Sequence, residues 1–334
     1  MRPMRRVVLL HGVLDPGDRP DEADTLVQVR EVEAILASLG WQTEVLAIGL
    51  DLGPLARLAA EPPDLVFYLV EAIEGRAGLQ HLPAAVLEVL GIPFTGAPAA
   101  ALQLTTDKLA AKRLLRRVGF PTPDWAEDPA AATSDRLWIV KAVDEDASLG
   151  LDAGAVVTGR EVDRRIAAMR ARFGGRWFAE AFVGGREFNV ALIEGPHGPE
   201  VLPIGEIDFS DYPKGRPAIV DYDAKWRPGS ATWESTPRIF SARAGDGPLR
   251  DGLARLARGV WDLFGLRGYA RVDFRVDAQG RPWILEVNAN PCLSADAGFV
   301  ATLEEAGLDQ CAAVARIVAA ARAGRPAPAL LAAE

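Results

Sequence analysis

The segment from Arg271 to Asn288 reads Arg-Val-Asp-Phe-Arg-Val-Asp-Ala-Gln-Gly-Arg-Pro-Trp-Ile-Leu-Glu-Val-Asn, with carboxylates at Asp273 and Glu286, an amide at Asn288 and a guanidinium at Arg271. Asp277, Ala278, Gln279 and Gly280 predict a four-residue hairpin loop, which pairs Val276 with Arg281, Asp273 with Ile284 and Arg271 with Glu286. Strand alternation then puts Arg271, Asp273, Glu286 and Asn288 on one face, with the two carboxylates as diagonal neighbours. Two carboxylates and an amide in that arrangement suit a hard cation such as magnesium, which keeps positions open for water and phosphate oxygens. The same face is equally open to a plain ion pair between Arg271 and Glu286.

The lysines carry a second signal. The chain has 32 Arg but only five Lys, at positions 108, 112, 141, 214 and 225. Where arginine is so favoured, a retained lysine suits a task that needs a compact ammonium, and phosphate binding is one such task. Lys141 ends an apolar strand and leads into Asp-Glu-Asp-Ala-Ser-Leu-Gly150, a loop able to fold over a nucleotide. Lys108 follows Asp107 at a helix start, and Lys225 lies in a long aperiodic segment. Lys112 and Lys214 are expected as ordinary surface lysines.

The elements that must hold these groups follow from periodicity. Residues 7–10, 44–48 and 64–70 read as buried strands, separated by helices over 25–39 and 82–90. Strands separated by helices imply crossovers and a parallel sheet, whose ligands sit beyond the carboxyl ends of the strands, here residues 11–24 and 71–80. A helix over 105–118 is followed by strands at 137–142, 177–182, 187–193 and 201–204. Residues 208–241 combine Pro, Gly, Trp and charge with little periodicity, the character of a functional cover. A helix over 249–264, the hairpin over 269–288 and two further helices close the chain, with a frayed Ala/Pro-rich end.

Composition narrows the function. The 334 residues are 49% apolar and 25% charged, enough buried surface to exclude disorder and too long for one core. Cys292 and Cys311 are too few for a disulfide scaffold and fit a reducing cytoplasm. The basic start, Met1 to Arg6, gives way after four apolar residues to His11-Gly12, so neither a signal peptide nor a membrane span is expected. The net charge of −9 gives no footprint for nucleic acid. Of it, −7 falls in residues 1–100 (7 basic, 14 acidic) and −2 in residues 101–334 (30 basic, 32 acidic), so a polyphosphate ligand would meet the nearly neutral part. Neither GxGxxG after the first strand nor GxxxxGK[ST] anywhere is present, which argues against a dinucleotide dehydrogenase or a P-loop kinase. His11, His81 and His197 lack metal-ligand spacing.

In one order, the chain carries Thr-Asp-Lys108, strand-ending Lys141 with Ser-Leu-Gly150, Glu180-Ala-Phe-Val-Gly-Gly-Arg-Glu187, Asp-Tyr-Asp-Ala-Lys225, Arg-Val-Asp273 and Glu-Val-Asn288. Together these motifs resemble the D-alanine:D-alanine ligase branch of the ATP-grasp superfamily, from about residue 91 to about residue 307. The resemblance implies an α/β and α+β chain: an N-terminal doubly wound parallel-sheet domain (1–100), a central ATP-grasp domain (101–183), a C-terminal ATP-grasp domain (184–325) and a tail (326–334). It implies ATP between the last two domains, with Lys108, Lys141 and Lys225 on the phosphates and Ser148 and Gly150 in the loop that closes over them. Glu180, Phe182 and Val183 match the strand bordering adenine, and Glu187 the ribose ligand. Asp273, Glu286 and Asn288 match the ligands of magnesium, two ions in number, with manganese as a substitute, and Arg271 matches the arginine that steadies the oxyanion.

What the resemblance implies for function is a cytoplasmic, homodimeric ligase with small-molecule carboxylate and amine substrates. It would form an amide or peptide bond through an acyl phosphate, on amino-acid-like substrates. Two alternatives are a genuine D-alanine:D-alanine ligase and a nucleotide-binding module without catalysis. The second would be expected to lose Arg271 or the metal set, and all are present. Substrate residues depart from the family pattern: Ala147 and Ala297 stand where serines are usual, Trp226 where tyrosine is, and Cys292 where glycine is. Losing a hydrogen-bond donor suggests a different acceptor. Glu22, Asp24 and Glu71 are open either to binding a substrate ammonium or to plain solvation, and Cys292 has no basic partner that would make it a nucleophile.

Overall fold

A computed structural model describes residues 5–14, 20–133, 135–145 and 148–323, without the side chains of 20–23 and 323. The first region runs β1 (Arg6–Gly12), α1 (Pro20–Ser38), β2 (Gln42–Ile48), α2 (Gly53–Ala60), β3 (Leu65–Tyr68) and α3 (His81–Val89). Its strands form a parallel sheet in the order β2-β1-β3. Both faces of β1 are apolar, as a sheet covered on both sides requires. Val7 and Leu9 join a core with Val29, Val32 and Leu36 of α1, while Val8 and Leu10 join one with Leu55, Leu58 and Leu87 of α2 and α3.

Next come α4 (Ala99–Thr106) and α5 (Lys108–Arg117), where the sequence predicts one helix over 105–118. The break falls at Asp107, whose carboxylate caps α5 by accepting from the Ala110 N–H at 2.8 Å. A residue that favours the cap over the helix interior has split the run, which places Lys108 in the first turn of α5.

An antiparallel sheet follows, from β4 (Trp125–Ala126), β5 (Leu137–Ala142), β6 (Val156–Thr158) and β7 (Trp177–Ala181), backed by α6 (Val162–Phe173). Its order is β4-β7-β5-β6, and it holds a core of its own in which Trp138, Val140 and Trp177 meet Ile166 and Met169.

The rest of the chain builds a larger antiparallel sheet. Its elements are β8 (Arg186–Gly195), β9 (Gly198–Val201), β10 (Gly205–Ile207), α7 (Tyr222–Trp226), α8 (Ala231–Glu234), β11 (Arg238–Ile239), α9 (Gly247–Phe264), β12 (Tyr269–Val276), β13 (Pro282–Asn288), α10 (Gly298–Glu305) and α11 (Gln310–Ala323). The sheet runs β11-β10-β8-β12-β13, with β9 also paired to β8. The strand expected at 201–204 is instead two strands flanking Leu202-Pro203-Ile204, consistent with a proline that has no N–H to give a ladder. One buried cluster reaches from Val8 and Leu10 to Phe188 and Phe274, so the first and last sheets share a core.

The hairpin corrects the predicted register. Val276 pairs with Pro282 rather than Arg281, and a bulge after Asp273 brings it directly opposite Glu286 and Arg271 opposite Asn288. The loop is one residue longer than predicted, and Leu285 absorbs the extra position, so the shared face survives while the pairing moves.

Arg186 forks onto both Glu206 and Asp246, with contacts of 2.6–2.8 Å. Hydrogen bonding from Arg186 lowers the Asp246 carboxyl from the usual 3.8 to about 2. A depressed carboxyl contributes stability that is full above its unfolded value and lost as pH falls through the folded one. The stability difference between wild type and Arg186→Gln is therefore expected to be full above pH 4 and to shrink toward pH 2. Denaturant titrations at several pH values check this, and a difference that grows on acidification would contradict it.

Among the described residues, no helix is long and apolar enough to cross a membrane.

Candidate active site

The three sheets surround a cleft of about 1050 Å3. Its walls carry Lys108, Lys141, Glu180, Phe182, Val183 and Glu187 on one side and Lys225, Arg271, Asp273, Glu286 and Asn288 on another. Asp24, Glu71 and Cys292 line the end nearest the parallel sheet.

The central wall is built around one carboxylate. In β7, Glu180 lies opposite Ile139 of β5, so Lys141 is its diagonal neighbour on the same face. The Lys141 ammonium lies 2.6 Å from Glu180 Oε1, and Lys112 of α5 lies 2.7 Å from Oε2 and donates to Thr122 Oγ1 at 2.7 Å. Lys112 is thus not a surface lysine: it is 1% exposed, as is Glu180, whereas Lys214 is exposed as expected. Burial alone would raise the Glu180 carboxyl, but the two ammonium groups outweigh it and hold the group ionised.

The opposite wall is the β12–β13 face. Arg271 forks onto Asp273, Nε to Oδ1 and Nη2 to Oδ2, both at 2.8 Å. Asn189 of β8, in register with Asp273, donates to Oδ1 at 2.8 Å. Glu286 Oε1 lies 3.4 Å from the Lys108 ammonium. Carboxylates placed directly across two strands repel, and here Arg271 offsets Asp273 and Lys108 offsets Glu286. That donor set, two carboxylates and the Asn288 amide on one face, fits a hard dication that takes over part of this neutralisation. Among the described residues no group of three or more His, Cys, Asp or Glu is placed to hold a metal without the amide.

Lys225, at the end of α7, is half-buried in the cleft wall, where desolvation and nearby Arg271 lower its pKa. Trp226 beside it also lines the cleft. Glu187 is held by buried Arg275 at 2.6 Å, and Arg275 also donates to the Ala218 carbonyl at 2.8 Å.

The two segments expected to cover the site meet each other. Ser148 Oγ donates to the Val220 carbonyl at 3.2 Å, and the Tyr222 N–H donates to the Leu151 carbonyl at 2.9 Å. Ser148 sits in the left-handed region at φ 63°, and Gly150 at φ 71°, where a Cβ would stand 2.5 Å from Trp177 Cη2. Gly150 is therefore needed both for its backbone and for its close packing. It lies behind the cleft wall, which Ser148 and Leu149 form. Ala147 lies outside the described residues.

At the far end, Asp24 is a structural acceptor: Cys292 Sγ and Ser294 Oγ each donate to it at 3.0 Å. Gln28 donates to Glu71 at 2.8 Å and accepts from the Leu293 N–H at 2.9 Å, so α1 is laced to the loop after β13. Burial and the Glu71 and Asp24 carboxylates push the Cys292 thiol well up, which disqualifies it as a nucleophile. The Glu22 side chain lies outside the described residues.

Among the cleft residues that escaped the sequence reading are Asn189, Arg275 and Arg238. Alternation could have found the first two, since Asn189 stands two residues from Glu187 and Arg275 two from Asp273. Arg238 lies in the aperiodic segment, which offers no pattern to read.

Comparison with known proteins agrees with this architecture. The family model described as D-ala D-ala ligase C-terminus matches residues 129–319. A D-alanine–D-alanine ligase of Gloeobacter violaceus is 32% identical over 319 residues, spanning 92% of this chain and 97% of that protein. One from Chromohalobacter salexigens is 33% identical over 324 residues, spanning 94% and 93%. The crystal structure of the Bacillus anthracis D-alanine–D-alanine ligase complexed with ATP superposes with a TM-score of 0.73 at 17% identity, covering 96% of this chain and 98% of that one, a likeness of fold. The similarity thus extends across the parallel-sheet region, beyond the motifs that suggested it. The chain belongs to the D-alanine–D-alanine ligase family, a group of ATP-dependent ligases that form C–N bonds on the ATP-grasp fold.

Proposed function

We propose that this chain is a D-alanine:D-alanine ligase that consumes ATP. The observation that carries the proposal is the cleft itself, where the Lys108, Lys141 and Lys225 ammonium groups stand beside the face bearing Arg271, Asp273, Glu286 and Asn288. Support for the substrate comes from relatives named D-alanine–D-alanine ligase that align over nearly the whole chain. Domain divisions near residues 100 and 183 and assembly as a homodimer belong to the same proposal.

The chemistry follows from the charges. A free carboxylate is a poor acyl donor because its leaving group would be oxide. Attack of a donor carboxylate oxygen on the γ-phosphorus forms an acyl phosphate and releases ADP. The ammonium groups of Lys108, Lys141 and Lys225 would spread the phosphoryl charge, which is electrostatic positioning rather than covalent catalysis. Asp273, Glu286 and Asn288 would hold magnesium, which supplies further positive charge for the phosphates. An acceptor amine then attacks the acyl carbon, Arg271 stabilises the oxyanion that develops there, and phosphate leaves. The joined segments around Ser148 and Tyr222 exclude water, which would otherwise hydrolyse the acyl phosphate.

A wider reading, ligation of other amino-acid-like pairs, draws on Trp226, Cys292 and Ala297, which line the cleft and depart from the residues that the family resemblance implies there. The two readings separate by mass spectrometry of products formed with ATP and D-alanine alone, set beside a panel of D- and L-amino acids. D-alanyl-D-alanine with stoichiometric ADP is the expected result. Inertness toward D-alanine, with turnover on another pair, would favour the wider reading.

A further inference from the structure

Six cations line the cleft: Lys108, Lys141, Lys225, Arg238, Arg271 and Arg275. Four have a carboxylate partner, Glu286, Glu180, Asp273 and Glu187 respectively for Lys108, Lys141, Arg271 and Arg275. Among the described residues, Lys225 and Arg238 have none. Lys225 is accounted for by the phosphates in the function proposed above, and Arg238 remains.

Arg238 stands on the edge strand β11, in register with Ile207 of β10. Its side chain runs past Gly205, where a Cβ would stand 2.9 Å from Arg238 Cδ, and ends against Gly298, where a Cβ would stand 2.3 Å from Nη2. Two glycines therefore make the passage that leads the guanidinium into the cleft. Arg238 Nε is buried and makes no hydrogen bond. Desolvation and nearby Arg271 weigh against its charge more than the Asp273 and Glu187 carboxylates favour it. A guanidinium does not deprotonate in proteins, so this site holds a partly desolvated positive charge that, among the described residues, has no carboxylate in ion-pair contact. Its end lies at the first residue of α10, where Ala297 provides no side-chain cap for the N–H groups of the first turn. The guanidinium and those N–H groups favour the same kind of ligand, a small anion.

Resting on the ligase reading above, we propose that Arg238 binds the carboxylate of the amine-bearing substrate and so selects amino acids over simple amines. The donor substrate does not fit this position, because its carboxylate is the reacting group and must face the phosphates, while its other end is an ammonium. The acceptor must present its amine to the acyl carbon beside Arg271, and in an α-amino acid the carboxylate lies two bonds from that nitrogen. Arg238 supplies a binding group near Arg271 in the same cleft, and its fork matches a carboxylate bidentately.

The test compares wild type, Arg238→Lys and Arg238→Gln in steady-state assays at saturating ATP and donor, with the acceptor offered as the amino acid and as its amide. Wild type is expected to prefer the acid. In Arg238→Gln the acceptor KM should rise about 10- to 100-fold, the amide should lose its disadvantage, and the KM for ATP should stay unchanged. Arg238→Lys should recover part of the acceptor affinity. Wild-type turnover with an unchanged acceptor KM in Arg238→Gln would overturn the assignment, as would a matching rise in the KM for ATP, which would place a phosphate there instead. Absence of wild-type turnover on any amino-acid pair would instead remove the ligase reading, and this assignment with it.

Discussion

Replacing Glu286 by glutamine is expected to lower kcat by at least about 10²-fold while leaving thermal unfolding unchanged. The substitution preserves volume and removes one charge from a pair of carboxylates held directly opposite each other across β12 and β13. Like charges in that relation destabilise a strand pair, and relieving them offsets the lost attraction to Lys108, which keeps its bond to the Glu145 carbonyl, so the fold is not harmed. What is lost is functional: an anionic oxygen for the proposed dication, and the 3.4 Å contact that sets the Lys108 ammonium over the site. Turnover is followed across a magnesium titration at saturating ATP, beside thermal unfolding of both proteins. A kcat within about twofold of wild type would withdraw Glu286 from the metal set, since a direct ligand cannot be that dispensable.

The same hairpin shows what a sequence can and cannot reveal. Alternation found the face that carries Arg271, Asp273, Glu286 and Asn288 although the loop is one residue longer than predicted, because the bulge at Leu285 restores the parity that a one-residue slip alone would have reversed. It could not find the register, because Trp283, Ile284 and Leu285 form an apolar run in which a bulged residue looks like its neighbours. The parallel sheet was legible for a similar reason: strands buried on both faces announce themselves as unbroken apolar runs such as residues 7–10. Long-range ion pairs leave no such mark. Arg186 meets Asp246 across 60 residues and Lys112 meets Glu180 across 68, and only the folded chain makes partners of them. The five-lysine census singled out Lys141, which lines the cleft, yet an expectation of Lys112 at the surface overlooked that Lys108 and Lys112, four apart, share one face of α5. Arg238 lay beyond reach altogether, since its placement depends on the gaps at Gly205 and Gly298.

Lys112→Met is expected to cost about 3 kcal/mol of stability, a fall in Tm of roughly 4 °C for a chain of this length. Methionine fills the space and keeps the helix, so neither a cavity nor lost propensity contributes. The cost arises at Glu180, which is 1% exposed and would retain only Lys141 as a counter-charge. A buried carboxylate stripped of one of two cations is less neutralised at a place water cannot reach. Thr122 Oγ1 also loses the donor at 2.7 Å, although it keeps its own bond to the Ile284 carbonyl at 3.0 Å. The effect should extend to nucleotide, because Lys141 would then be the sole cation on Glu180 and less of its charge would be turned toward the cleft. A raised KM for ATP is the accompanying expectation. The double variant Lys112→Met with Glu180→Gln should lose less stability than the sum of the two single losses, as partners in one network do. Thermal unfolding of the four proteins measures that coupling, and additive losses would show that Lys112 acts through packing alone.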